Sequence, residues 1–171
     1  LREFYRLNCL TRKRHGLPPQ PYRFFESVHE HLLSKGFGII VSALHEGRTI
    51  AASVFFHFGK RAIFKYGASE IRRQSVRPNN LVLWEALRWY RERGFESLHL
   101  GRTESDNPGL LRFKRAWGAS ERVLNYYRYD LRAKAFLSLS SAGGAWRTKG
   151  LARMPVAFLR LAGRLLYRHA G

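Results

Sequence analysis

Residues 39–66, with the sequence IIVSALHEGRTIAASVFFHFGKRAIFKY, carry the strongest secondary-structure signal in the chain. Apolar and polar residues alternate along much of this stretch, which is typical of strands that bury one face. Glu46-Gly47 and Gly59-Lys60 divide it into three segments, and glycine in such short connections favours tight hairpin turns. We therefore predict strands at 39–45, 49–58 and 61–66, joined as an antiparallel meander.

Helical patterns flank this meander on both sides. Before it, the apolar spacing predicts helices at 1–14 and 22–35, separated by the helix-breaking residues HGLPP. After it, we predict in chain order a polar loop at 67–78, a helix that Asn79 or Asn80 caps and that runs to Arg93, a strand at 96–100, a helix at 109–117 and a last strand at 122–131. This order predicts an α+β fold with a mixed, mostly antiparallel sheet flanked by helices.

Composition narrows the classes of function. The 171 residues are 45% hydrophobic, which excludes a disordered chain, and no apolar run is long enough to span a membrane. The one cysteine, Cys9, excludes an internal disulfide framework and a multi-cysteine metal site. Thirty-one basic against 12 acidic residues give a net charge of +19. That excess indicates either an anionic partner or a basic surface that only keeps the protein in solution.

The C-terminal region differs from the rest, because residues 131–171 contain eight basic residues and no acid. We predict a domain at 1–131, a linker at 132–150 and a basic amphipathic helix at 151–171. Its apolar face consists of Phe158, Leu161, Ala162, Leu165 and Leu166, and its basic face of Arg160, Arg164 and Arg168. Such a helix binds either an anionic membrane surface or a further domain of the same protein.

Several stretches resemble the second half of the FemAB-like (Fem-type) transferases, which are related to the GNAT acyltransferases. The matching pieces are RHGLP (14–18), IAA (50–52), YGAS (66–69), RPNNL (77–81) leading to WEA (84–86), GRT (101–103) and GLLRFKRAWG (109–118). The resemblance covers about residues 3–130. It implies a GNAT fold, in which an acyl donor lies where two central strands splay apart, here 61–66 and 96–100.

The resemblance also implies amide-forming acyl transfer and assigns catalytic residues. It ties Phe113 and Lys114 to an aminoacyl donor and its transition state, and a fixed ammonium suits an oxyanion on the donor carbonyl. A surface lysine beside a core phenylalanine is the alternative. Glu104 is a candidate acceptor of the amine proton, and Asp106 is the other acid near this site that could accept it. Either acid could instead be the ion-pair partner of Arg102, and Asp106 could instead cap the helix that follows.

Further residues are candidates for substrate binding. Arg102 follows a strand end and could grip a phosphate or carboxylate, unless it pairs with Glu104. Tyr66 ends a strand and either donates a hydrogen bond to substrate or packs at the edge of the core. The remaining candidates are Thr103, Arg77, Asn79, Asn80 and Trp117.

The acyl donor is left open between aminoacyl-tRNA and acetyl-coenzyme A. Acetyltransferases bind the pyrophosphate with a glycine-containing loop at a helix start. Residues 72–78, RRQSVRP, contain no glycine there, and Pro78 has no backbone N–H. The seven histidines show no metal-ligand spacing, so we expect no metal. We also expect no tightly bound cofactor.

The sequence therefore predicts an acyl- or aminoacyltransferase that acts in cell-wall or exopolysaccharide biosynthesis. The alternatives are an acetyl-coenzyme A-dependent N-acetyltransferase for a sugar or small amine, and a non-catalytic basic module that docks on RNA or membrane. We expect a missing N-terminal GNAT-like half of the same protein as partner, with tRNA or an anionic membrane surface as further partners. The expected location is the cytoplasm, at the inner face of the membrane if the C-terminal helix binds lipid.

Overall fold

The computed structural model describes residues 1–104, 106–137 and 150–167. Among these, residues 1–101 and 150–167 form one compact unit, and residues 102–104 and 106–137 form a second.

The first unit contains a four-stranded sheet in the order β1-β2-β3-β4. Its strands are β1 (Gly38–His45), β2 (Arg48–Phe58), β3 (Arg61–Ser69) and β4 (Ser97–His99). The first three pair antiparallel as the predicted meander, while β3 and β4 pair parallel. At the first turn, Glu46 and Gly47 both have positive φ, 52° and 74°, which is the geometry of the favoured two-residue hairpin turn. The predicted α+β class and mixed sheet are confirmed.

Helices cover both faces of this sheet. They are α1 (Arg2–Arg14), α2 (Tyr22–Val28, continued by a π-helical turn at His29–Leu33) and α3 (Pro78–Glu92). Neighbouring residues of a strand point to opposite faces. Accordingly, Val54 is buried in the cluster of α1 and α2, while the ring of Phe55 lies 6.1 Å from Tyr90 on α3. The sheet is therefore the middle layer of the first unit.

Two predictions between β3 and α3 are wrong. Strand β3 continues through Gly67 to Ser69, and residues Ile71–Val76 form a 3₁₀ helix rather than an irregular loop. Helix α3 begins at Pro78, with Arg77 as its N-cap in the left-handed region (φ 50°) and no capping side chain, so neither Asn79 nor Asn80 caps it. Proline suits the first helical turn because its missing N–H would have no helical partner.

The C-terminal helix, α5 (Val156–Leu166), packs on α1 within the first unit. Leu159 is fully buried at this contact. Gly163 lies so close to the connection between α1 and α2 that an added β carbon would be 2.0 Å from the Pro19 carbonyl oxygen. Of the helix predicted at 151–171, the structure shows α5 over Val156–Leu166, and Met154 and Pro155 before it are not helical. It packs on α1 through Leu159 and Gly163, which are not part of the apolar face described above. Arg168 lies outside the described residues.

The second unit contains α4 (Pro108–Ala116) and a two-stranded antiparallel sheet of β5 (Arg128–Asp130) and β6 (Ala135–Leu137). The predicted strand at 122–131 is therefore wrong over 122–127, and its paired part joins β6 instead of the four-stranded sheet. The Asp130 carboxylate accepts hydrogen bonds from the amides of Arg132 and Ala133, which closes the hairpin. Strand β6 falls within the segment predicted as a linker, of which 138–149 lie outside the described residues.

Candidate acyl-transfer site

Strands β3 and β4 pair over only three residues each. Arg61, Ala62 and Ile63 face Ser97, Leu98 and His99, after which β4 ends while β3 continues to Ser69. Gly101 has a φ of +76°, and a β carbon there would be 3.5 Å from the carbonyl oxygen of Phe64. Within the described part of the chain, residues 64–69 therefore have a strand neighbour only on the β2 side. At its end this edge is covered by α1, because Ala68 and Ser69 are buried and the Ser69 amide donates to Thr11 Oγ1 at 3.2 Å. In the preceding residues, backbone groups that lack a ladder partner can hydrogen-bond an extended ligand.

A β-bulge lies in β3 at the same level. The pairing with β2 shifts between Val54, which faces Tyr66, and Phe55, which faces Phe64, so Lys65 is the extra residue. A bulge bends a strand and increases its twist, and this one lies two residues beyond Ile63, the last residue of β3 that pairs with β4. Gly67 completes this geometry, because a β carbon there would be 2.7 Å from Cζ of Phe64.

Asn79 joins the 3₁₀ helix and α3 to the end of β3. Its Nδ2 donates to Ser69 Oγ at 3.3 Å and to Gln74 Oε1 at 3.1 Å. Gln74 Nε2 in turn donates to Ser69 Oγ at 2.9 Å and to the Glu70 carbonyl at 3.2 Å. Ser69 and Gln74 were not among the predicted site residues, because isolated polar residues give no sequence signal for such a network. The Asn79 amide group thus positions the segment, while Arg77 and Asn80 are exposed.

Tyr66 lies on the face of the sheet that α1 and α2 cover. Its ring contacts Phe25 edge-on at 5.5 Å, and burial raises the pKa of its hydroxyl. Nearby Tyr167 also raises the pKa of Tyr66, while the positive charge of Arg12 lowers it. Arg12 donates a hydrogen bond to Tyr167 Oη at 2.8 Å. Sequence analysis missed Arg12 and Tyr167, since the approach of α5 to this point leaves no pattern in the sequence. A half-buried group of two hydroxyls and one guanidinium results.

In the second unit, Lys114 extends from α4 to residues 102–103. Its ammonium donates to Thr103 Oγ1 at 2.6 Å and to the Arg102 carbonyl at 3.3 Å. Burial lowers the pKa of Lys114, because the charged form loses part of its hydration. Thr103 and Lys114, both predicted as site residues, are thus brought together, and the ammonium is held in a defined position by two oxygen acceptors.

Arg102 and Glu104 form an ion pair, with Arg102 Nη2 2.7 Å from Glu104 Oε1. The guanidinium also lies over the ring of Tyr126, 5.1 Å from its centroid. The hydrogen bond to Tyr126 and the charge of Glu104 both raise the pKa of Arg102. Both side chains are more than half exposed, at 54% and 67%, so water competes for this pair and either partner can exchange it for a ligand.

Phe113 and Trp117 complete the set of predicted residues. They lie one helical turn apart on α4, and their rings meet edge-on at 6.4 Å. Ahead of them, Asn107 caps α4 by accepting from the Leu110 amide at 3.1 Å, so the cap is Asn107 and not the neighbouring Asp106. The structure thus groups the predicted residues in two sets. One set, on the first unit, is Tyr66, Arg77, Asn79 and Asn80; the other, on the second unit, is Arg102, Thr103, Glu104, Phe113, Lys114 and Trp117.

No three histidine, cysteine, aspartate or glutamate side chains of residues 1–104, 106–137 and 150–167 come close enough to hold a metal ion. In that same part of the chain, no helix has the length and hydropathy that crossing a bilayer requires.

A curated relative matches part of the chain. The lipid II:glycine glycyltransferase of Staphylococcus saprophyticus is 30% identical over 86 residues. The match covers 46% of this chain and 21% of that protein, so the chain spans only about a fifth of the length of this relative.

Solved structures share the fold at low sequence identity. The ribosomal-protein-S18-alanine N-acetyltransferase of Escherichia coli superposes with a TM-score of 0.60 at 14% identity, over 84% of this chain and 90% of that protein. An aminoglycoside acetyltransferase from an uncultured soil metagenomic sample, in complex with trehalose, gives a TM-score of 0.57 at 16% identity, over 74% and 85%.

The family profile described as "Acetyltransferase (GNAT) domain" matches residues 1–115, which include the whole four-stranded sheet and Lys114. The chain belongs to the GNAT acetyltransferase family.

Proposed function

We propose that the chain is part of an amide-forming aminoacyltransferase of the FemAB-like type, in which Lys114 stabilises the oxyanion on the donor carbonyl. The observation that carries this proposal is the position of the Lys114 ammonium, held by Thr103 Oγ1 at 2.6 Å and by the Arg102 carbonyl at 3.3 Å. A preorganised, partly desolvated cation stabilises developing negative charge without reorganising during the reaction. Phe113 precedes Lys114 on α4, and its ring packs edge-on against Trp117 at the end of that helix.

The chemistry of amide formation gives the residues of the second unit distinct roles. The acceptor amine attacks the donor carbonyl, its nitrogen forms the new C–N bond, and the bond to the leaving oxygen breaks. Lys114 stabilises the tetrahedral intermediate, while Glu104, once it leaves its ion pair with Arg102, accepts the amine proton and passes it to the leaving oxygen, which departs as the hydroxyl of the donor. Arg102 is then available for a phosphate or carboxylate of substrate. Thr103 keeps the ammonium in place and is a positioning residue.

The segment 72–78, where acetyltransferases bind the coenzyme A pyrophosphate, favours an aminoacyl donor over coenzyme A. Residues 72–78 lack glycine, and Pro78 at the start of α3 removes one amide donor. Asn79 is committed to Ser69 and Gln74. Arg72, Arg73 and Arg77 of this segment are exposed, and of these Arg77 precedes the first residue of α3. An exposed guanidinium beside a helix start suits the phosphates of an RNA. We propose tRNA and a preceding GNAT-like half of the same polypeptide as partners, with the reaction in the cytoplasm.

The matched relative supports an acceptor from cell-wall synthesis, since its name describes glycyl transfer to lipid II. We propose a lipid-linked or saccharide-linked amine as acceptor. The match covers only 46% of the present chain, so the proposal does not specify which aminoacyl group is transferred. Because the relative is a glycyltransferase, glycyl-tRNA is the first donor to assay.

Replacing Lys114 in the full-length protein tests the proposal. With glycyl-tRNA as donor and a lipid-linked peptide amine as acceptor, we expect Lys114→Ala to lower kcat by about 10²–10³-fold, as loss of an oxyanion donor does in other enzymes. Lys114→Arg should restore part of the rate. Arg112→Ala, which removes an exposed cation from the same helix, is the matched control and should leave kcat within about twofold.

The pH profile separates an electrostatic from a structural role of Lys114. Burial lowers the pKa of Lys114, so its ammonium loses its proton at a lower pH than an exposed lysine, whose pKa is about 10.4. The parent enzyme should therefore lose activity on the alkaline side before that pH is reached. In Lys114→Arg the guanidinium stays charged, so this alkaline loss should disappear. An unchanged kcat in Lys114→Ala, or the same alkaline limb in Lys114→Arg, would contradict the proposed role.

Acetyl-coenzyme A is the second candidate donor, because the fold is that of acetyltransferases and strand β3 presents an unpaired edge beside β4. Calorimetric titration with acetyl-coenzyme A at low and moderate salt tests it. Saturable binding that survives the added salt favours this donor. Binding that disappears with salt reflects only the positive charge, as counterion release predicts, and then favours the aminoacyl donor or the non-catalytic RNA- or membrane-docking module.

A further inference from the structure

Helix α5 exposes an apolar stripe that its packing on α1 leaves uncovered. Phe158, Leu161 and Leu165 are 59%, 55% and 59% exposed. Their spacing of three and four residues places them along one side of the helix. Leu159 and Gly163, which make the contact with the rest of the unit, lie on a different side. The helix is therefore docked and still presents a second apolar face.

Positive charge borders this stripe. Arg160 and Arg164 are exposed and lie one helical turn apart on α5, and no acidic residue occurs anywhere in 131–171. Ala157, Arg160, Leu161 and Arg164 line a shallow surface depression of about 170 Å³. One wall of this depression is apolar and two of its side chains are cationic. Arg160 also lies over the ring of Tyr5, 5.4 Å from its centroid, which links the basic border to α1.

We propose that this face of α5 docks the protein on an anionic lipid bilayer. Phe158, Leu161 and Leu165 enter the boundary between headgroups and acyl chains, while Arg160 and Arg164 contact lipid phosphates. An apolar stripe beside arginines is the pattern by which interfacial helices combine buried area with attraction to anionic lipid. The single sign of charge along the border favours lipid over a protein partner, whose surface normally mixes both signs.

The docking on α1 makes this different from a free amphipathic tail. Leu159 and Gly163 fix the orientation of α5, so the stripe faces outward without a folding step on the membrane. Binding therefore does not require the ordering of a disordered segment, which would reduce its affinity. The proposal does not depend on the acyl-transfer reaction, and its test uses no substrate.

Co-sedimentation with vesicles tests the proposal, using the 171-residue chain and vesicles of either pure phosphatidylcholine or phosphatidylcholine with 30% phosphatidylglycerol (roughly the anionic fraction that gives a strong surface potential). We expect binding to the anionic vesicles. Phe158→Ser combined with Leu161→Ser should weaken it at least tenfold, because both side chains lose their burial in lipid. Arg164→Gln should weaken it about fivefold.

Matched controls distinguish this face from general surface properties. Phe58 and Leu44 are 80% and 63% exposed on β2 and β1, so Phe58→Ser with Leu44→Ser removes similar apolar area elsewhere and should leave binding unchanged. Arg91→Gln on α3 is the control for charge. Circular dichroism on each variant establishes that the helices are retained.

Three results would overturn the proposal. The first is full binding by the Phe158→Ser, Leu161→Ser variant, which would mean that the net charge of +19 alone attracts the vesicles. The second is equal loss in the Phe58→Ser, Leu44→Ser control. The third is no binding by the parent chain at low salt, which would assign the stripe to a protein partner or another part of the same polypeptide.

Discussion

Gly163→Ala changes the closest backbone contact between α5 and the rest of the first unit. The new methyl carbon would be 2.0 Å from the Pro19 carbonyl oxygen, whereas ordinary contacts begin at 3.4 Å. Helix α5 and the 15–21 connection must therefore separate by roughly 1.4 Å at this point, because both atoms belong to backbone-defined positions and neither can rotate away.

The cost follows from what the contact buries. Leu159 is fully buried beside Gly163, and a buried leucine contributes about 1.5–3 kcal/mol. A gap of about 1 Å forfeits up to about half of the dispersion energy of the contacts involved. Overpacking of a core costs about 1–3 kcal/mol, and an overlap between two atoms that cannot rotate away belongs to the upper part of that range, about 2–3 kcal/mol. Replacing glycine by alanine within a helix stabilises it by about 1 kcal/mol. We expect Gly163→Ala to lower the free energy of unfolding by about 1–2 kcal/mol.

Urea denaturation measures this loss, and Gly150→Ala is its control. With an m-value of about 2 kcal/mol/M, the midpoint for Gly163→Ala should fall by about 0.5–1 M. An added β carbon at Gly150 meets nothing within 4 Å, so Gly150→Ala should leave the midpoint unchanged or raise it. Limited trypsin digestion should also cleave the Gly163→Ala variant faster after Arg160 and Arg164, because α5 is held less tightly.

Equal midpoints for the two alanine variants would refute this reasoning. It would show that α5 does not approach Pro19 as closely as described, and the outward orientation of its exposed stripe would lose its basis. Faster digestion in both variants would have the same meaning, since Gly150 makes no contact that an alanine could disturb.

Two further predictions concern the first unit. Glu70 bridges Arg6 at 2.7 Å and Arg48 at 2.8 Å, and the hydrogen bond from Arg6 lowers its pKa. Its ionised form therefore stabilises the protein above the unfolded-state pKa of about 4.3, and this stabilisation is lost as the pH falls through the lower folded-state value. Glu70→Gln should cost about 1.5–3 kcal/mol at pH 7 and less at pH 3 in urea denaturation, and an equal loss at both pH values would argue against the bridge. Asn79→Ala removes two hydrogen bonds and should cost about 1–2 kcal/mol in the same assay, whereas Asn80→Ala, at an exposed position without such bonds, should cost little; equal costs would contradict the positioning role of Asn79.

The meander could be predicted from the sequence because its information is local. Glycine at 47 marks the first hairpin turn, and the alternation fixes which residues face the helices. The end of β3 could not, since Gly67-Ala68-Ser69 has the composition of a loop. Ala68 and Ser69 are nonetheless buried, and Gly67 makes room for the ring of Phe64. Tertiary packing determines the strand here, and a sequence pattern contains no record of the neighbouring ring.

The contact of α5 with α1 was not predicted from the sequence for a related reason. Periodicity identifies the most apolar side of a helix, which includes Phe158, Leu161 and Leu165. The docked side is instead defined by close approach at a glycine, which a hydrophobic pattern counts as neutral. The candidate site was similarly predictable only in part. Lys114 and Thr103 stand in stretches that resemble known transferases, whereas Ser69, Gln74 and Tyr167 join their networks through side-chain geometry alone.

The three-residue pairing of β3 with β4 also determines the order in which the sheet assembles. Strands β1 to β3 are joined by short turns, so they can pair as soon as they emerge during synthesis. Strand β4 must wait for α3, because Ile63 and His99 meet only after the intervening helix has closed a long loop. The edge that a donor would occupy is therefore completed last and opens first in native-state exchange, while the meander behind it remains protected.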